Sequence, residues 1–124
     1  MHELGIAESA LQLALAEARK ADASRVVRLV LRVGALSGVD PEALRFALES
    51  LAPGTSAAGA AVEIEPVAAI AYCAHCENEF TADHELYFEC PACGRPSANI
   101  KQGRELELTR VELAFSHVES ELHS

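Results

Sequence analysis

The chain has 124 residues, of which 50% are hydrophobic and 23% charged, with four cysteines and a formal net charge of −9. That length holds one domain, or one domain with a small satellite, and buries a core without disulfide staples. Nineteen acidic residues against ten Lys and Arg argue against a general binder of nucleic acid or anionic membranes, since both need excess cationic charge.

The first residues, Met1-His2-Glu3-Leu4-Gly5-Ile6, carry no basic leader, and Glu8 and Glu17 interrupt the next stretch, which is unlike a signal peptide. No apolar run approaches the roughly 18–20 residues a membrane helix needs. A soluble, cytoplasmic protein is expected. In a reducing compartment, paired cysteines are metal ligands more often than disulfides.

Residues 4–20 have the periodicity of a helix, with Leu4, Ala7, Leu11, Ala14, Leu15 and Ala18 on one apolar face. Residues 26–33 alternate as a strand: Val27, Leu29, Leu31 and Val33 face one way, and Arg28, Val30 and Arg32 the other. Gly34 to Gly38 is a loop by composition. Asp40-Pro41-Glu42 opens a second helix, with Asp40 as N-cap and Pro41 in the first turn. Its stripe is Leu44, Ala47, Leu48 and Leu51, and Pro53-Gly54 stops it. Residues 61–68 form a second strand and 105–113 a third, whose alternation slips at Thr109-Arg110 as a bulge would make it. The tail 114–124 is polar and expected to fray.

The segment 70–103, between the last two strands, holds all four cysteines and most of the aromatics. The predicted fold is therefore α+β. A small mixed three-stranded sheet with two helices comes from residues 1–69 and 104–124, and residues 70–103 form an inserted mini-domain of zinc-ribbon type.

Cys73-Ala-His-Cys76 and Cys90-Pro-Ala-Cys93 are two C-x-x-C knuckles with thirteen residues between them. Each knuckle sets two thiolates on one side of a tight turn, and a hairpin brings the pairs together as the tetrahedron of sulfurs that zinc accepts. Gly94 follows the second knuckle, where a positive φ is often needed. A disulfide pair and a redox C-x-x-C are weaker readings, and an iron site of the same four-sulfur shape stays open. Four cysteines close the shell, so this zinc is structural and not catalytic. Nor is there a nucleophile–base pair or a phosphate loop, and no enzyme is expected. From Tyr72 to Ile100, five acidic residues against Arg95 are the reverse of a phosphate-binding face.

His2 has a separate chemistry. A histidine at position 2 can chelate through its imidazole and its own backbone nitrogen, and the terminal amine or next amide adds nitrogens. Such a near-planar set suits Ni(II) or Cu(II). The carboxylates of Glu3 or Asp40 could complete the shell. His75 and His84 have the character of solvated loop residues, with support of the metal site or substitution for a zinc ligand as the alternative. His117 and His123 belong to the tail.

Met1-His2-Glu3, the loop Gly34-Ala-Leu-Ser-Gly-Val-Asp-Pro-Glu42 and two late C-x-x-C knuckles together resemble the HypA/HybF family of hydrogenase nickel-incorporation proteins, over roughly residues 1–113. The resemblance implies a nickel metallochaperone with Ni(II) as cargo and structural Zn(II). His2 matches the family's nickel ligand, Glu3 the motif residue after it, and Asp40 a carboxylate near that site. Cys73, Cys76, Cys90 and Cys93 match the zinc ligands. It implies two partners, a nickel-delivery GTPase and the large subunit of a nickel–iron hydrogenase, and a chain that is a monomer or a weak or domain-swapped homodimer. The competing function is a zinc-ribbon interaction adaptor without a specific nickel site.

Overall fold

The computed structural model describes residues 3–82 and 88–116. His2, His84, His117 and His123 lie outside the described residues. The first element, α1 (Glu3–Lys20), buries Ala7, Ala10, Leu11, Ala14 and Ala18. Leu4, expected on this face, is instead 55% exposed, and Ile6, two positions on, packs against the core. α1 stops in a Schellman arrangement: Ala23 N–H donates to Ala18 O at 2.8 Å and Asp22 N–H to Arg19 O at 3.1 Å. Asp22 takes the left-handed position, φ +59°, which glycine usually holds.

β1 (Arg25–Gly34) is the central strand. It pairs in parallel with β2 (Ala61–Val67) and antiparallel with β6 (Leu106–Ala114), giving the expected mixed sheet of three strands in the order β2-β1-β6. α2 (Pro41–Leu51) lies between β1 and β2 in sequence and buries Leu44, Ala47 and Leu48. Both helices pack on one sheet face, against Val26, Leu29, Leu31 and Val33. The core of this layer is largely alanine and leucine, so α1 and α2 approach closely without large side chains.

The bulge expected at Thr109 is present: Val30 pairs with Arg110 and Leu31 with Leu108, leaving Thr109 as the extra residue. Its hydroxyl donates to Val30 O at 3.2 Å. A second irregularity leaves Val27 unpaired between Val26 and Arg28. It shifts the phase of β1, so Val26 enters the core in place of Val27. The opposite sheet face is a ladder of charges. Arg28 bridges Glu63 and Glu112, and Arg32 pairs with Glu107 at 3.6 Å. Exposed pairs of this kind add little stability, and Val30, on the same face, is 4% exposed.

The second sheet has the order β4-β3-β5, from β3 (Ile70–Cys73), β4 (Asn78–Thr81) and β5 (Ile100–Gln102). Its core is small: Ala69, Ala71, Cys73, Phe80, Ala82 and Cys90, with Leu36 reaching in from the loop after β1. The chain crosses between the sheets twice, after β2 and before β6, and both crossings meet that loop. Gly34 N–H donates to Glu105 O at 2.7 Å, Ala35 N–H to Val67 O at 2.9 Å and Leu36 N–H to Gly103 O at 2.6 Å. The backbones are so close that a Cβ on Gly34 would stand 2.1 Å from Gly103 O. Only glycine fits there.

Candidate metal centres

The two knuckles are built alike. In the first, β3 ends at Cys73, the chain turns through Ala74 and His75, and Glu77 N–H donates to Cys73 O at 2.7 Å. In the second, Gly94 N–H donates to Cys90 O at 2.7 Å. The residue after each second cysteine is left-handed: Gly94 at φ +76°, as its identity suggests, and Glu77 at φ +57°. Antiparallel pairing of Cys73 with Asn78 is matched by Cys90 N–H donating to Arg95 O at 2.9 Å. Each knuckle is thus clamped by its own backbone, which aims both sulfurs at the opposing knuckle.

The sulfurs of Cys73 and Cys93 are 3.7 Å apart, those of Cys76 and Cys90 3.8 Å, and all four lie within 4.8 Å of one another. A zinc–sulfur bond of about 2.3 Å gives a tetrahedron with edges of about 3.8 Å, so the cage has the size of a zinc site with four cysteine ligands. The same separations are far above the roughly 2.05 Å of a disulfide, and all four cysteines are free. The cage is polarised. The thiol of Cys76 is pushed up to about 12 by its hydrogen bond with Cys93 and by burial. Cys90 is brought down to about 7, first by the Cys93 backbone N–H and then, against burial, by that of Ala92. Amide hydrogens aimed at sulfur favour the thiolate, the form that binds metal.

Glu3 opens α1, and its Oε2 accepts a hydrogen bond from Asp40 N at 3.0 Å. Asp40 is the N-cap of α2 (φ −81°, ψ +114°), and its Oδ1 accepts from Glu42 N at 3.0 Å. The Glu3 carboxylate is therefore held by the backbone of a residue 37 positions away, joining the N-termini of the two helices, where the helix dipoles favour negative charge. The approach is fixed by Val39, which is 8% exposed in the core, and by the Ser37 hydroxyl accepting from Val39 N at 3.2 Å. The sequence offers Glu3 and Asp40 as candidate carboxylates of one site. Sequence reasoning missed their direct contact, along with Ser37 and Val39, because a link across 37 residues has no local signal. The cysteines and the carboxylates are well separated in sequence, but the loop from Gly34 to Asp40 touches both: Leu36 packs beside the cysteine sheet and Asp40 holds Glu3. Among the described residues, no helix is long and apolar enough to cross a membrane.

Comparison with known proteins agrees with this architecture. Residues 1–113 match a family model described as hydrogenase/urease nickel incorporation, metallochaperone, hypA. A relative named hydrogenase maturation factor HypA, from Picosynechococcus sp., is 43% identical over 113 residues, covering 91% of this chain and 99% of the relative. One of the same name from Dechloromonas aromatica is 41% identical over 113 residues, again 91% and 99% of the two chains. The solution structure of the nickel metallochaperone HypA from Helicobacter pylori superposes with a TM-score of 0.63 at 25% identity, covering 93% of this chain and 99% of that one. With the family model spanning nearly the whole described fold and relatives above 40% identity over almost their full length, the chain belongs to the HypA family of nickel-incorporation metallochaperones that serve hydrogenase maturation.

Proposed function

We propose that this chain carries Ni(II) at its N-terminus and delivers it to the large subunit of a nickel–iron hydrogenase, with a nickel-delivery GTPase as the partner in loading. His2 supplies the imidazole and backbone nitrogen, and Glu3 the adjoining carboxylate. Asp40, whose Oδ1 caps α2, positions Glu3 and adds its charge beside the ion. The observation that carries this reading is the hydrogen bond from Asp40 N to Glu3 Oε2, which ties the residue after His2 to the backbone of Asp40 in a chain of a nickel-handling family. Ligands at an exposed chain end form a shallow site, which releases its ion on demand where a closed cage would retain it. A nitrogen-rich set also prefers Cu(II) to Ni(II) on the Irving–Williams order, so selectivity rests on partners and supply.

Zn(II) fits the Cys73, Cys76, Cys90 and Cys93 cage and would act there as a structural ion, holding residues 70–103 as a ribbon beside the nickel-binding part made of residues 1–69 and 104–124. With its shell closed by four sulfurs, it offers no place for substrate water, and the protein is a carrier, not an enzyme, working in the cytoplasm. Nickel titration of untagged protein tests the reading. Wild type binds Ni(II) at a site that His2→Ala weakens by about tenfold or more, the loss expected when a principal ligand goes, while zinc content stays the same. Equal nickel affinity in the two proteins would overturn His2 as the ligand, whereas one tightly held zinc and no specific nickel site in the wild type would support a zinc-ribbon adaptor.

A further inference from the structure

We propose that the cysteine cage is an oxidation site: a peroxide converts it to two disulfides that run between the knuckles, Cys73–Cys93 and Cys76–Cys90, and so withdraws all four sulfurs from zinc. Three observations carry it. The first is the unequal exposure of the sulfurs. Cys73 and Cys90 are buried in the small core with Ala71 and Phe80, whereas Cys76 and Cys93 are only partly buried. Around Cys76, the residues Ala74, His75 and Glu77 are exposed, and around Cys93 so are Pro91, Ala92 and Gly94. Each knuckle therefore offers its second sulfur to a small solute and keeps its first inside. A metal-bound thiol is held as the thiolate, and an accessible thiolate is the form that peroxides oxidise.

The second is the pairing of the sulfurs. That of Cys93 lies 3.7 Å from Cys73, and that of Cys76 lies 3.8 Å from Cys90. Each more exposed sulfur thus has a buried one of the opposite knuckle beside it, placed to resolve its oxidation. A disulfide of about 2.05 Å asks each pair to close by about 1.7 Å. The third is the clamp on each knuckle. Pairing of Cys73 with Asn78, and the bond from Cys90 N–H to Arg95 O at 2.9 Å, aim the sulfurs across the cage. A disulfide within one knuckle turns its sulfurs toward each other, out of the direction that these bonds set.

The chemistry balances with two molecules of peroxide. The Cys93 thiolate attacks one oxygen of hydrogen peroxide and the O–O bond breaks, giving a sulfenic acid on Cys93 and free hydroxide. The Cys73 thiolate then attacks that sulfur, forms the S–S bond and expels a second hydroxide. Cys76 and Cys90 repeat the sequence with the second peroxide. Four thiolates are oxidised to two disulfides, two peroxides are reduced to four hydroxides, and zinc leaves still divalent. The two bonds then join the knuckles in place of the metal, so Ala71 and Phe80 stay covered. The inference rests on the zinc reading of the cage and is independent of nickel.

Peroxide titration of untagged, zinc-loaded protein tests the proposal. Two equivalents of hydrogen peroxide should release one zinc per chain, read with a chromophoric chelator. The product should weigh four hydrogens less than the reduced, metal-free chain. Proteolysis at the glutamates between the knuckles, Glu77 to Glu89, should leave the knuckles joined, with tandem mass spectrometry placing the bonds at Cys73–Cys93 and Cys76–Cys90. Amide resonances of β3 and β4 should survive oxidation, although they are lost on chelation, and a dithiol with added zinc should restore the metal. Disulfides within the knuckles, the other cross pairing, or sulfinic acids in place of disulfides overturn the proposal. So does zinc retained under excess peroxide, or a release that dithiol and zinc fail to reverse. A chain that takes up no zinc overturns the zinc reading of the cage as well, which separates the two failures.

Discussion

Asp40 does two things through two different atoms. Its side chain caps α2 by accepting from Glu42 N, and its backbone N–H holds Glu3 Oε2. Asp40→Ala should therefore cost about 0.5–2 kcal/mol of stability, the usual range for a lost N-cap. Asp40→Asn keeps a capping oxygen and should unfold within a few tenths of a kcal/mol of the wild type. Urea denaturation monitored by circular dichroism separates the two. Gly34 is a sharper case. A methyl group there meets the Gly103 carbonyl at 2.1 Å, backbone against backbone, so Gly34→Ala forces the crossing between the sheets to move. We expect a loss of roughly 2–4 kcal/mol, in the upper range for single substitutions, read as a lowered urea midpoint. Glu105 makes this same crossing pH-sensitive. Its own backbone N–H, and then that of Gly103, hold its carboxyl below its ordinary value. A depressed carboxyl adds stability that is present above its unfolded pKa and is lost as pH falls through the folded one. Glu105→Gln should accordingly be less stable than the wild type at neutral pH, with the difference shrinking below about pH 4.

At the scale of elements, the helices and the central sheet follow local pattern. Apolar spacing places α1 and α2, alternation places β1, and Asp40-Pro41 marks the start of α2 because both residues act on the neighbouring turn. The slip in alternation at Thr109 is legible for the same reason: a bulge is a local fault in a period of two. Val27 is not legible. It is extra only relative to β6, far along the chain, and a valine suits either face of a strand. Leu4 is misplaced because periodicity gives the direction of a side chain but not whether a neighbour lies beneath it. The cysteine spacing fully announces a metal cage, while the left-handed backbone at Glu77 carries no signal, since glutamate seldom adopts it. The two sheets differ in what holds them: among the described residues, fifteen buried ones form the core of the helix-covered sheet and six that of the cysteine sheet, two of those six being cysteines. So few apolar contacts cannot offset chain entropy alone. Zinc chelation should therefore broaden or lose the amide resonances of β3, β4 and β5, while those of α1, α2 and β1 keep their native shifts.

For the whole molecule, net charge of −9 suits a carrier of cations better than a binder of phosphates, and the placement of charge refines this. The glutamates of the sheet are largely engaged by Arg28, Arg32 and Arg110, whereas Glu3 and Asp40 meet at helix N-termini beside the chain end. The proposed function places two metals of different chemistry in separate parts of one short chain. Soft sulfur cages a permanent ion and harder nitrogen and oxygen hold a transient one. Native mass spectrometry of untagged protein supplied with both metals reads this division in one spectrum. We expect one zinc and one nickel per chain in the wild type, and one zinc without nickel in His2→Ala. Nickel retained by His2→Ala, or nickel that enters only by displacing zinc from the cysteines, would refute the division.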